Sequence, residues 1–308
     1  MSDQLINLAV SQFSANLEMK VQQMTSALRG RVAEGTHIGR QASPVQYIGP
    51  VKFQAPSARF APKARQDAAF ERRWVFPKDR DLDQLIDTFD ELRLISDPKS
   101  AYSSGAAAAA AREWDDQLIV AATADAKIGM DIDVFTTDSF DTTNLRVADS
   151  FGASAATGLT TAKLKEAKRM LRHYAQDGNP DNEQVTIIIG SQQESDLLGE
   201  TEATNGDYNG GQPVLVDGSI KRFMGFDFVV MERLPIYTTT TRGVLVFMKS
   251  GLYLGVWKDL ENSVSKRFDL SSEPWDLYSK LTCGATRLQH GKLLQIACKD
   301  SSGGSIVP

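Results

Sequence analysis

Imidazole is the side chain that most readily moves a proton or binds a metal near neutral pH, and the chain has three: His37, His173 and His290. They fall in a basic stretch, in a helical pattern and in a turn before Gly291. None stands at metal-ligand spacing or beside a nucleophile, so each reads as a surface or packing residue. Paired carboxylates are the next candidates for cation binding or acid/base work. Asp131 and Asp133 would share one strand face, but no third ligand stands near them. Asp115 and Asp116 point to different sides of a helix and read as solvated or intersubunit charge. Cys283 and Cys298 lie in apolar, strand-like segments and read as buried thiols of a reducing compartment. The chain contains no G-x-x-x-x-G-K-S/T, no G-x-G-x-x-G and no G-x-S-x-G. No catalytic residue, cofactor site or metal site is therefore expected.

The elements that would support association are unevenly charged. Between residues 29 and 80 eleven Lys and Arg face four acids, a local charge of +7 in a chain of net −5, which leaves −12 on the rest. A basic extension on an acidic body can bind nucleic acid or embrace the acidic body of another copy. Its cations are interleaved with Ala, Pro and Phe rather than gathered in a block, which favours the embrace. With 308 residues, 42% of them hydrophobic, the chain can bury one large core or two smaller ones. No stretch reaches the ~18 to 20 apolar residues of a membrane helix, and the first ten residues lack a basic leader. The expectation is a protein neither secreted nor membrane-spanning.

The order of parts is distinctive. Residues 5–28 place Phe13, Leu17, Val21, Met24 and Leu28 at near-helical spacing, an amphipathic arm. Residues 30–73 are rich in Gly and Pro with short β-like runs at 45–48 and 51–53, an extended hairpin with little to bury internally. RRWVF at 72–76 predicts a strand, and Leu82, Leu85, Ile86, Phe89 and Leu92 predict an amphipathic helix. Asp97 as N-cap and Pro98 at the first turn open a helix of some 27 residues through six alanines, 106–111, which allow close approach on all sides. An α/β stretch follows: a helix through Leu164 to Tyr174, a wholly apolar strand at 185–189, and a Ser191/Glu194 capping box opening a short helix. Asp217-Gly218 marks a hairpin, Phe226, Phe228 and Val230 alternate, and runs at 243–248, 252–257, 264–268 and 292–298 close the chain as strands.

In this order, RRWVF with DLDQLIDTFDEL and then SDPKSAYSSGAAAAAAREWDDQLIVAA resemble the start and the spine helix of tailed-bacteriophage major capsid proteins, the Hong Kong 97 capsid fold. TTAKLKEAKRMLRHYAQ, VTIIIGSQQESDLLG and DGSIKRFMGFDFVVMERLP resemble its apical domain, and LYLGVWKDLENSVSKRFD and YSKLTCGATRLQHGKLLQIACKD its peripheral strands. The resemblance covers nearly the whole chain. It implies an α+β fold with an N-terminal arm at 1–30 and an extended loop at 31–71. A peripheral domain at 72–130 and 251–300 would carry the spine helix at about 98–124, with an apical domain at 131–250 and a flexible tail at 301–308. It further implies a shell of identical subunits, as hexamers and pentamers, enclosing double-stranded DNA in the virion. Assembly would take place in the host bacterial cytoplasm with a scaffolding protein and a portal, with room for a decoration protein and no role for a membrane. Intersubunit contacts are expected at Arg40, Lys52, Arg59, Lys63 and Arg65 of the loop and at Ala108 and Ala109 of the spine helix. Some members of the family crosslink through a loop lysine; Lys52 and Lys63 lie there, but no residue match assigns them that chemistry. The alternative reading is a nucleic-acid-binding protein that uses residues 29–80 on phosphates.

Overall fold

The computed structural model describes residues 23–49, 51, 53, 55, 67, 68, 70–87, 99–130, 134–174, 183–200, 215, 216, 219–238 and 240–300. In chain order they form β1 (Ala33–Thr36), β2 (Ala42–Ile48), β3 (Phe70–Val75) and β4 (Lys78–Ile86), followed by helix α1 (Lys99–Thr123). Next come β5 (Ala126–Ile128), β6 (Thr136–Asp138), β7 (Arg146–Val147), α2 (Thr161–Tyr174), β8 (Val185–Ile189) and α3 (Ser191–Leu198). The remainder is β9 (Leu215–Val216), β10 (Ser219–Ile220), β11 (Arg222–Phe223), β12 (Phe226–Val230), β13 (Ile236–Thr238), β14 (Thr241–Met248), β15 (Leu252–Lys266), β16 (Trp275–Arg287) and β17 (Leu293–Lys299).

One sheet runs β11-β12-β8-β14-β17-β7, with β13 added on β14. β8 lies inside it, parallel to β12 and antiparallel to β14. All five residues of VTIII are buried, so both its faces are covered and the run, Thr186 apart, is apolar rather than alternating. Helix α2 packs on β17 and β7 through Leu164, Ala167, Met170 and Leu171. Two four-stranded sheets, β1-β15-β16-β4 and β2-β3-β5-β6, and the β9-β10 hairpin complete the β-structure. The chain divides into two compact units. Of the described residues, the first holds 23–26, 79–87, 99–113 and 258–282, and the second those between 27 and 78, between 114 and 257 and from 283 to 300. Helix α1 and strands β15 and β16 contribute residues to both.

The amphipathic helix expected from Leu82 to Leu92 is not what residues 78–86 form. Leu82, Gln84 and Ile86 turn inward while Asp83 and Leu85 turn outward, the period of two of a strand lying against β16. Sheet pairing overrides a helical spacing that rested on only a few apolar residues; residues 88–98, with the expected cap Asp97, lie outside the described residues. The closing run at 292–298, expected with the peripheral strands, pairs instead with β14 from Thr241↔Lys299 to Phe247↔Leu293. The capping box is shifted by one residue: Gly190 is the N-cap, and its amide donates to Gln193 Oε1 at 3.1 Å. Ser191 is already helical, with its amide donating to Glu232 at 2.6 Å.

The first part of the presumed extended loop belongs to the subunit itself. β1 runs parallel to β15 with Gly35 opposite Gly255. Those missing side chains leave room for His37 to pack against Trp257 with the rings tilted by 49° and to meet the Tyr253 hydroxyl at 2.7 Å. Burial lowers the His37 pKa. β2 is antiparallel to β3, and Ala42 joins Val75, Tyr253 and Leu288 in a small core flanked by Val45 and Tyr47. Cys283 and Cys298 are free and buried, and burial pushes the Cys298 thiol up to about 12.

Helix α1, 25 residues and about 37 Å long, has no basic residue in its last turn to meet its final carbonyls. Arg287, fully buried at the end of β16, takes that role. Its Nη1 donates to the carbonyls of Ala122 and Ala124 at 3.1 and 3.0 Å, and its Nη2 to the Asp138 carbonyl at 2.9 Å. Its own carbonyl accepts from Arg73 Nη1 at 3.2 Å. Burial pulls the Arg287 pKa down to about 10, still well above neutrality, so it remains a cation. Replacing Arg287 with Met strands one buried and two partly buried carbonyls and is expected to cost about 2 to 4 kcal/mol, read as a lower urea midpoint.

Candidate functional site

Exposed large apolar side chains are scattered over the described residues, and in two places they stand together. At the end of the β2–β3 pair, Ile48 stands directly opposite Phe70. Residues opposite each other in an antiparallel pair share a face, so the two form one apolar pair, 66% and 56% exposed, where the chain leaves for residues 49–69. Val51 and Phe53 beyond it are also exposed. Cross-strand apolar pairs are ordinarily among the residues a sheet buries; one left in water marks a surface awaiting a partner.

The second place is the tip of the β15–β16 hairpin. Phe268 is 77% exposed, with Val264 and Leu270 exposed beside it. This tip is held in a set shape. Arg267 grips Asp269 with Nε and Nη2, both at 2.8 Å, the Arg267 amide donates to the Pro274 carbonyl at 3.0 Å, and the Glu273 amide to the Leu270 carbonyl at 3.2 Å. Ser272 and Glu273 both take positive φ, 73° and 44°, a conformation that costs a non-glycine residue about 1 kcal/mol or more. Arg267 holds the Asp269 carboxyl at about 2.

Of the expected contact residues, Arg40 is exposed between β1 and β2, while Lys52, Arg59, Lys63 and Arg65 lie outside the described residues. Ala108 is 0% exposed, so its methyl is used in the subunit's own packing and the expectation of an intersubunit contact there is corrected. Ala109 is half-buried and lines a groove with Ala106, Ala110, Leu82, Leu260 and Leu281, rimmed by the Arg80–Glu113 pair at 2.8 Å. The basic stretch is partly spent inside the chain. Arg29 lies over the Trp114 ring at 4.4 Å, Lys78 donates to Gln117 at 2.9 Å, and buried Arg73 meets Asp138 at 2.8 Å.

The residues weighed for chemistry have structural partners. His290 Nε2 lies 2.5 Å from Asp138 Oδ2, which also receives Arg73. His173 is exposed and packs edge-on against Tyr174. Asp131 and Asp133 fall outside the described residues, and no group able to hold a metal occurs among those described. No described helix is long and apolar enough to cross a membrane. Asp115 is the residue sequence reasoning misread. It is wholly buried, not solvated, and accepts the amides of Ala27 and Leu28 at 3.0 and 3.2 Å. Arg233 binds it at 3.5 Å and Asp116 at 2.8 Å. Asp115 thus fixes the point at which the N-terminal segment meets α1. An acid next to a predicted helix's single Trp gave no hint of a partner 88 residues earlier.

The model of the phage capsid protein family matches residues 5–300. No curated protein matches the sequence. Among solved structures, the chain is similar to the capsid of the cyanophage P-SCSP1u at 15% identity, with a TM-score of 0.69 over 96% of this chain and 94% of that one. It is similar to the capsid of cyanophage Pam1 at 12% identity and a TM-score of 0.72, over 95% and 97% of the two chains. The capsid of a native GTA particle aligns at 11% identity and a TM-score of 0.64, over 95% and 96%.

Asp115→Ala leaves the amides of Ala27 and Leu28 without their acceptor and Arg233 with Asp116 alone, an expected loss of about 2 to 4 kcal/mol. Proteolysis should then open the segment around residues 23–32 first. Ala108→Leu is expected to overpack the subunit by about 1 to 3 kcal/mol, with Ala109→Leu costing less because it faces the groove; urea titration of both variants separates them.

Proposed function

The chain belongs to the phage capsid protein family and is a major capsid protein with the α+β, Hong Kong 97-type fold, and we propose that identical copies are joined through the Ile48–Phe70 mouth with its loop and through the Phe268 tip. The observation that carries this is the pair Ile48 and Phe70, in register and in water. A shell of copies can cover such a surface at every subunit, and many modest contacts then add into one stable container. On this reading Arg40, Lys52, Arg59, Lys63 and Arg65 approach the acidic body of a neighbour, and Ala109 takes part through its groove. The subunits form hexamers and pentamers around double-stranded DNA. A scaffolding protein and a portal act during assembly in the host cytoplasm, and the outer face has room for a decoration protein. The protein works by association rather than by turnover.

The domain map follows the same reading with changed bounds. Residues 1–30 serve as the arm, and the extended loop narrows to 49–69, since β1 and β2 are tied into the subunit. The strand at 293–299 goes with the apical sheet. A nucleic-acid-binding role for residues 29–80 is disfavoured, because Arg29, Arg73, Lys78 and Arg80 are engaged within the chain.

Replacing residues 49–69 with a short Gly/Ser linker is expected to leave stability within about 1 kcal/mol, since closure entropy changes slowly with loop length, and to abolish shells seen by electron microscopy. Ile48→Ser with Phe70→Ser should do the same more mildly. A folded linker variant that still builds normal shells removes the loop from the assembly contact; wild-type chain that stays monomeric when co-expressed with its phage assembly genes removes the shell reading.

A further inference from the structure

Between helix α1 and strands β4, β15 and β16 runs an apolar groove. Ala106, Ala109 and Ala110 form its wall on the helix, Leu82, Leu260 and Leu281 its wall on the strands, and its cavity is about 160 Å³. An apolar cavity of about 150 Å³ accepts a benzene-sized group, so the space suits one large apolar side chain with a second at its mouth. No described residue fills it, and Leu82, Ala109 and Leu260 are left only half-buried.

The chain itself carries a segment of matching chemistry. Phe13, Leu17 and Val21 stand at i, i+4 and i+8, one face of a helix, and Met24, 51% exposed, continues the stripe. Residues 1–22 lie outside the described residues, but the course of the chain just after them is fixed. Arg29 lies over Trp114, and Asp115 holds the amides of Ala27 and Leu28. Gln23 to Ser26 belong to the compact unit that contains α1 only as far as Glu113, the unit that also holds every residue of the groove. Followed towards its start, the chain therefore passes from Asp115 back along α1, towards Ala110 and Ala106. Those alanines lie roughly 7 to 14 Å from Asp115 along the helix. Val21 is six residues before Ala27, a span of roughly 9 Å as helix and 20 Å when extended, and Leu17 lies roughly 15 Å away at helical rise.

We propose that the N-terminal arm of the same subunit lies in this groove, with Leu17 and Val21 seated between the α1 alanines and Leu82, Leu260 and Leu281. An amphipathic segment docks in a groove through apolar anchors one turn apart, and alanines on the receiving helix let it approach closely. Tethering decides between this arm and that of another copy. A short linker gives an effective concentration on the order of millimolar, well above that of free subunits in dilute solution. Ala109 then serves the shell by way of the arm it seats, so the inference extends the assembly reading without depending on it.

Thiol labelling of the unassembled full chain tests the seat. Cys283 and Cys298 are buried, so one new thiol, Ala109→Cys on one wall or Leu260→Cys on the other, reports its own exposure to a maleimide. Adding Leu17→Ser and Val21→Ser should speed labelling at both positions by about tenfold, since thiol reactivity follows access and a seated arm excludes the reagent. Gln12→Ser with Asn16→Ser, off the stripe, should leave the rates unchanged. Rates that ignore the stripe, or that respond as much to the off-stripe variant, overturn the proposal. Diluting the chain separates the two sources of an arm. Protection that is unchanged belongs to the subunit's own arm, whereas protection that fades assigns the groove to a second copy and overturns the intramolecular seat. Shell formation is not needed for the measurement, so failure of the seat leaves the assembly reading standing.

Discussion

A helix that ends inside a protein must find donors for its last carbonyls, and α1 has no basic residue in its last turn to supply them. Arg287 supplies them from the far end of the chain, and with the same guanidinium it holds the β6 backbone at Asp138. Arg73, by bonding the Arg287 carbonyl and the Asp138 side chain, extends the junction to β3. A cation has been taken out of water here at considerable desolvation cost, which only a nearly complete set of acceptors offsets. The β2–β3 pair that ends at Ile48 and Phe70 starts from this junction, so the exposed mouth is positioned by a buried charge at its root.

The same device recurs where the chain must join distant segments. Lys163, fully buried, donates to the carbonyls of Thr157, Gly158 and Ala297 at 2.8 to 3.1 Å and so pins the start of α2 to β17. Burial pushes its pKa down. Arg242 joins Glu232 at 2.8 Å and Asp300 at 2.6 Å. Asp115 does with an anion what these do with cations, gathering amides of the N-terminal segment. Such groups fix which segments meet, because displacement of any one leaves a charge buried without partners.

What could be read in the sequence followed from how local the cause was. The buried, mostly apolar β8, the 25-residue α1 and the β9–β10 hairpin each carry their pattern within a few residues. β4 was misread because its neighbour β16 lies some 190 residues on and its side chains suit either period. Asp115 and Arg287 were invisible as junctions for the same reason: a charged residue in a helix or strand reads as surface until its distant acceptors are known. The surface candidates were half legible. The hairpin nature of the basic extension was evident, but its composition concealed how much of it, from Ala33 to Ile48, is committed to the subunit's own sheets.

The two cysteines give the molecule a property unconnected with its packing. Both are buried, and Cys298, held up to about 12, yields almost no thiolate at neutral pH. A maleimide added to the native chain therefore meets a nearly silent background. One cysteine placed at an exposed position outside the proposed contacts, Ser195 for instance, becomes a unique chemical address. In a particle built from identical chains that address repeats with the symmetry of the lattice, so a dye, a metal label or a peptide would be displayed as an ordered array from a single codon change.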